Sequence, residues 1–158
     1  MDAIDTHILE RLQQEGRATQ QELAREVGLS QPSVAERIRK LEERGAIRGY
    51  AAKVDAVMLG KEITAFVAVS IDHPRYFDDF ATAIGAMDEV LECHRVAGED
   101  SYLLKVKTTS PTTLDELLVG ALRLLPGVTS THTTIVLRSV KEETLVRVAP
   151  ETAHWRSK

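Results

Sequence analysis

One cysteine, Cys93, stands in a chain of 158 residues, so no disulfide can close within it. A reducing, cytoplasmic compartment is the expected setting. No apolar run approaches the roughly 18 residues of a membrane-spanning helix, and no membrane partner is expected. The opening stretch MDAIDTHILE is acidic and amphipathic and does not read as a signal peptide. No glycine-rich loop is present to cradle phosphates, because Gly16, Gly28 and Gly45 each sit where a helix should end. His7, His73, His94, His132 and His154 show no tight ligand spacing with Cys93, so neither a metal site nor a cofactor is expected. No catalytic constellation stands out, which points away from an enzyme. Cys93 falls at an inward position of a strand pattern and is expected to be a buried structural thiol.

What the chain does have is an ordinary soluble composition, 43% hydrophobic and 28% charged, and enough length for one domain or two small ones. Its net charge of −4 argues against a protein that coats nucleic acid. Residues 30–48 run the other way, with five basic groups (Arg37, Arg39, Lys40, Arg44, Arg48) against three acidic ones (Glu36, Glu42, Glu43). A patch of that size implies multivalent docking for any DNA affinity.

The first fifty residues carry three helical patterns. One spans 3–14, with Ile4, Ile8, Leu9 and Leu12 on one face. A second starts at Thr19-Gln20-Gln21-Glu22, whose spacing has the form of a capping box, and buries Leu23, Ala24 and Val27. Gly28 turns the chain into the third. There Ser30 is placed to cap, Pro32 is tolerated in the first turn, and Val34, Ile38 and Leu41 form an apolar stripe. Its other side offers Gln31, Ser33, Glu36, Arg37, Arg39 and Lys40, the amide, hydroxyl and basic groups that can meet a DNA groove. Two short helices joined by a tight glycine turn, after a packing helix, make a helix-turn-helix. A plain three-helix bundle has the same periodicity and stays open as the alternative. In the first reading the DNA-binding set is Ser30, Gln31, Pro32, Ser33, Glu36, Arg37, Arg39 and Lys40. Gln31 and Ser33 would approach base edges while the three cations hold phosphates.

Residues 46–54 read as a strand or extended connector, and residues 55–62 as a turn. The later pattern is strand (64–71), helix (76–87), two strands (90–97 and 101–108) joined across Gly98-Glu99-Asp100, helix (111–125) and strand (128–140). The run TAFVAVSI suits a strand covered on both faces, and the helix at 76–87 would bury Phe77, Phe80, Ala81 and Ile84. The order βαββαβ is the split βαβ, or ferredoxin-like, arrangement, giving an α+β chain. Its sheet has helices on one face only, so Leu91, Leu103 and Ile135 would be wet without a partner, and a homodimer at least is expected.

Taken together, IDTHILERLQQEGRAT, LAREVGLSQPSVAERIRKLEERGAIRGY, VLECHRVAGEDSYLLKV and LPGVTSTHTTIVL resemble the Lrp/AsnC family of transcription regulators over residues 2–140. The resemblance implies a helix-turn-helix DNA-binding domain over 1–50, a linker over 51–62, a ferredoxin-like effector-binding and oligomerisation domain over 63–145, and a tail over 146–158. It further implies a homo-oligomer of dimers, tetramer to octamer, on double-stranded promoter or operator DNA. A small-molecule effector, an amino acid or its relative, would bind between dimers at Ala97, Gly98, Glu99, Asp100, Ser101 and Tyr102. The family commonly has Thr before the loop glycine and an Asp-Tyr pair after it, where this chain has Ala97-Gly98 and Ser101-Tyr102. Glu99 or Asp100 is then the candidate to hold an α-ammonium. Two other readings remain: a decarboxylase of haem synthesis of similar architecture, using His94 and Arg95, and a ligand-binding module without DNA binding.

Overall fold

A computed structural model describes residues 1–147 of the chain. These fall into two compact units, 1–53 together with 141–147, and 54–140. The first unit is three helices: α1 (Ala3–Gln14), α2 (Gln20–Val27) and α3 (Gln31–Glu43). Each start is set by a side chain. Asp2 and Asp5 cap α1 reciprocally, Thr19 and Glu22 do the same for α2, and the Ser30 hydroxyl accepts from the Ser33 amide at the start of α3. Gly28, at φ 68°, takes the left-handed conformation that turns α2 into α3. Ile8, Leu23, Ala24, Val34, Ile38 and Leu41 are buried together, with Ile4, Leu9, Leu12 and Ile47 packed around them.

After α3 no strand forms. Residues 48–55 carry no regular secondary structure and lead into a turn over 56–60 that closes with Lys61 N donating to Ala56 O at 2.9 Å. Residues 141–147 group with the first unit, although the sequence pattern carries the second as far as 145. Val146 N donates to Gln13 Oε1 at 2.8 Å, and Gln13 Nε2 returns a bond to Val146 O at 3.0 Å. Of the tail expected over 146–158, residues 148–158 lie outside the described residues, and His154 with them.

The second unit is one antiparallel sheet of β1 (Ile63–Ile71), β2 (Val90–Arg95), β3 (Tyr102–Thr108) and β4 (Val128–Ile135), in spatial order β2-β3-β1-β4. Two helices, α4 (Phe77–Gly85) and α5 (Pro111–Gly120), cover one face, as the ferredoxin-like arrangement requires. Ala65, Val67 and Val69 of β1 and Tyr102, Leu104 and Val106 of β3 point to that face and meet Phe80, Ile84, Leu114, Leu117 and Leu122.

Several expectations are corrected. The chain itself covers one face of β1, not two: Phe66, alternating with the buried residues, is 38% exposed. A single turn at Pro74–Tyr76 precedes α4, and Ala81 faces solvent while Phe80 and Ile84 face the core. The helix expected to reach residue 125 stops at Gly120, because Ala121 adopts φ −126° and ψ −66°. That break tips Leu122 into the core through a short turn at Leu122–Leu124. The last strand ends at Ile135 and not at 140: beyond Ala65, the partner of Ile135, β1 has only Thr64 and Ile63 left, too few to carry pairing to 140. Val136 N donates to Thr64 O, and beyond it Leu137 and Val140 are 98% and 92% exposed. Register puts Ile135 opposite Ala65, on the helix side of the sheet. Cys93 is exposed, not buried. It does pair with Leu104 on the helix side, but β2 is the edge strand and lies at the margin of the helices' cover.

Gly127 joins α5 to β4 at φ 81°, and a Cβ there would lie 2.2 Å from Tyr76 Cδ2. Gly127→Ala meets both the left-handed penalty and an immovable ring. It is expected to destabilise the second unit by about 2–4 kcal/mol, measured by denaturant unfolding. Wild-type stability in that variant would show the Tyr76 contact to be absent.

Candidate functional site

The outer side of α3 presents its residues in layers. In the first turn Ser30, Gln31, Pro32 and Ser33 are all exposed. The Ser30 hydroxyl is committed twice: it takes the Ser33 amide at 3.3 Å and lies 2.7 Å from the Ser33 hydroxyl. Gln31 therefore stands on a turn held in place by a cap, while the Ser33 hydroxyl already has a partner.

One turn on, charge pairs along the helix. Arg39 donates to both oxygens of Glu36, at 2.9 and 2.7 Å, and also to Glu43. Lys40 Nζ lies 3.4 Å from Glu36 Oε1. The Arg39 hydrogen bonds, then Arg39 charge and Lys40, pull Glu36 down to about 2, and Glu36 and Glu43 push Arg39 up. All of these groups are half-exposed, where an ion pair adds little to stability and exchanges readily for another anion. Arg39 and Lys40 can therefore trade Glu36 for a phosphate.

Arg37 is held differently. Its Nη1 donates to Asp5 Oδ1 at 2.7 Å and to Asp2 Oδ2 at 2.8 Å, both at the start of α1. Those two carboxylates hold Arg37 firmly in its charged form, Asp5 contributing first. The Asp2 carboxyl is itself lowered, mainly by the Asp5 amide it caps. Asp5 is only 9% exposed. A groove lined by Asp5, Ser33, Glu36, Arg37, Lys40, Leu41 and Arg44 runs along this side. Arg44 is thereby added to the candidate DNA surface. The basic count of residues 30–48 included it, but the pattern of outward positions stopped short of it.

In the second unit the six loop positions separate into three kinds. Ala97, Gly98 and Glu99 are exposed, and space around a Gly98 Cβ is open. Asp100 and Ser101 are latched to β1. Ser70 Oγ donates to Asp100 Oδ1 at 2.7 Å, and Ile71 N donates to Ser101 Oγ at 3.0 Å. His132 Nδ1 stands 4.0 Å from Asp100 Oδ1. Tyr102 belongs to the core, 6% exposed, its ring 5.6 Å from Phe77 and 4.7 Å from Phe80 between centroids. Ser70 and His132 escaped the sequence pattern because they lie about 30 residues away on either side, and strand register alone brings them to the loop.

His94 pairs with Leu103 and Arg95 with Tyr102, so the two side chains leave opposite faces of the sheet and do not converge on one substrate. Arg95 lies over the Phe77 ring at 4.4 Å. Exposed but partly desolvated by its neighbours, the Cys93 thiol is raised above its ordinary value, away from nucleophilic use. Among the described residues no group of three or more His, Cys, Asp or Glu is placed to hold a metal, and no helix is long and apolar enough to cross a membrane.

Comparison with known proteins bears on both units. Residues 1–42 match the AsnC-type helix-turn-helix domain, and residues 64–146 match the Lrp/AsnC ligand binding domain. The leucine-responsive regulatory protein of Escherichia coli strain K12 is 38% identical over 144 residues, which cover 90% of this chain and 88% of that protein. A transcriptional regulator of Neisseria meningitidis, solved in complex with L-methionine, superposes with a TM-score of 0.86 at 32% identity, covering 91% of this chain and 94% of that one. The feast or famine regulatory protein of M. tuberculosis, also complexed with L-methionine, gives a TM-score of 0.86 at 36% identity, covering 93% and 99%.

The Glu36 cluster fixes a pH dependence. Glu36 sits at about 2 against an ordinary 4.5, so its pairing is whole above about 4.5 and is lost as the pH falls from there through 2. Carboxyl NMR should place its midpoint near 2, and Arg39→Ala should move it up towards 4.5. A wild-type midpoint at the ordinary value would remove the cluster.

Proposed function

This chain belongs to the Lrp/AsnC family of transcriptional regulators, and on that premise we propose that α3 reads double-stranded promoter DNA while an amino acid, or a close relative, bound at the 97–102 hairpin adjusts that binding. The observation that carries the first part is the exposed, capped first turn of α3 with exchangeable cations one turn further on. Gln31 approaches base edges, with Ser33 beside it. Arg39, Lys40 and Arg44 hold phosphates, and the helix N-terminus adds its own positive end. Glu36 competes with the DNA for Arg39 and Lys40, which keeps sequence-independent affinity low in a chain of net charge −4.

The second part rests on the family and on loop chemistry. Ala97, Gly98 and Glu99 are accessible, and a glycine without Cβ lets a carboxylate approach backbone N–H groups. Asp100, already held by Ser70 with His132 close by, offers a fixed carboxylate for an α-ammonium. The regulators complexed with L-methionine support an amino acid as the chemical class. The uncovered sheet face carries Phe66, Ala68 and Leu103 at its centre, among Lys105, His94, Ser70 and Thr134. That face is the natural seat for a second copy, giving a dimer and, by further association, tetramers to octamers in the cytoplasm. Paired α3 helices would then address half-sites about one DNA turn apart, or a multiple of it.

Two measurements test this. The slope of log affinity against log salt should fall by about 0.9 for Arg39→Ala and again for Lys40→Ala, with binding weakened on every duplex. Unchanged slope and affinity in both variants would remove α3 from the DNA. Calorimetry against the twenty amino acids should find a binder, and Gly98→Asp, which has room to fold, should abolish the heat. Retained binding in Gly98→Asp would place the pocket elsewhere.

A further inference from the structure

The clamp at Arg37 closes a network of four carboxylate oxygens. Asp2 spends Oδ1 on the Asp5 amide and Oδ2 on Arg37, while Asp5 spends Oδ2 on the Asp2 amide and Oδ1 on Arg37. The reciprocal cap that starts α1 is thus the anchor for a guanidinium on α3. Ser33, Arg37, Lys40 and Arg44 recur at four, three and four residues, so they share one stripe of α3. Gln31 and Ser33 lie in the turn N-terminal to Arg37.

An apolar stripe of Val34, Ile38 and Leu41 resists lifting α3 off the bundle but resists roll about its own axis less, because hydrophobic contact is not directional. A guanidinium bridging two fixed carboxylates is directional, and it pins that roll. Asp5 is buried, so releasing Arg37 would leave a carboxylate desolvated and without its charge partner. Arg37 is therefore a poor donor to a phosphate, whereas Arg39 and Lys40 answer only exposed acids of their own helix.

We propose that Arg37 is a positioning residue for DNA reading: it fixes the roll of α3 against α1, and so decides which base edges Gln31 meets, without itself holding a phosphate. The inference rests on α3 being the helix that contacts DNA.

Binding is followed by fluorescence anisotropy over a salt series with the full chain. One duplex is selected by the wild-type chain from a random-sequence pool, and the other is a scramble of it. Lys40→Ala sets the reference for a lost phosphate contact, a slope lower by about 0.9. Arg37→Gln is expected to lose about tenfold on the selected duplex and less than about twofold on the scramble, at unchanged slope. Asp5→Asn loosens the clamp but leaves the guanidinium in place, and it is expected to lose discrimination in the same way. A phosphate-holding Arg37 gives the reverse: Arg37→Gln lowers the slope and weakens both duplexes alike, and Asp5→Asn, by freeing the cation, tightens both. Either of those results overturns the proposal. If Arg37→Gln fails to fold by circular dichroism, Asp5→Asn decides: lost discrimination supports the clamp, while unchanged or tighter binding ends it. If Arg39→Ala and Lys40→Ala change nothing, the reading of α3 itself has failed, and the role of Arg37 falls with it.

Discussion

Val34, Ile38 and Leu41 on α3, and Ala65, Val67 and Val69 on β1, each occupy one side of an element whose other side faces water. This one-sided burial is what the rest of the molecule depends on. In the first unit it leaves the polar side of α3 exposed, with Arg37 tied to Asp2 and Asp5 at the start of α1. In the second unit it puts both helices on one face of the sheet and leaves Phe66 and Leu103 on the other. An element covered all round would have nothing to present to DNA, to an effector or to a second copy.

Within that frame, the charges on α3 divide by what they are paired with. Arg39 and Lys40 answer Glu36 across a turn of their own helix, in water, where each contact forms and breaks at small cost. Arg37 answers Asp2 and Asp5 across the helix interface, and one of those acids is buried. Three cations within four residues thus fall into two classes, exchangeable and structural, although their side chains carry the same charge. The family accounts for why such a helix exists, and the pairing accounts for which of its cations are available.

The loop at 97–102 shows the same division. Its first three residues are open, and its last three are tied down by Ser70, by the Ile71 amide and by the aromatic packing of Tyr102. A loop fixed at one end and open at the other suits a site that must hold a small ligand in one orientation while letting it enter. Asp100 gains a defined direction from the Ser70 hydroxyl, which a solvated turn carboxylate would lack.

Local signals made much of this chain legible from the sequence. Capping residues at Thr19 and Ser30, glycine turns at Gly28 and Gly45, and apolar residues at helical or alternating spacing are properties of neighbours along the chain. They gave the three helices, the order of strands and the outward set on α3. Tertiary structure decided the rest, wherever the answer depends on residues far apart in sequence. Cys93 keeps its inward register yet is exposed, because it lies on an edge strand. The last strand falls short of residue 140 because β1 extends only two residues past the partner of Ile135, not because its own residues change character. Tyr102 is core because Phe77 and Phe80 arrive from another element. Arg37 reads as one more outward cation until α1 brings two carboxylates to it from more than thirty residues away. Periodicity specifies which side of an element faces inward; only the packed neighbours determine what is there to meet it.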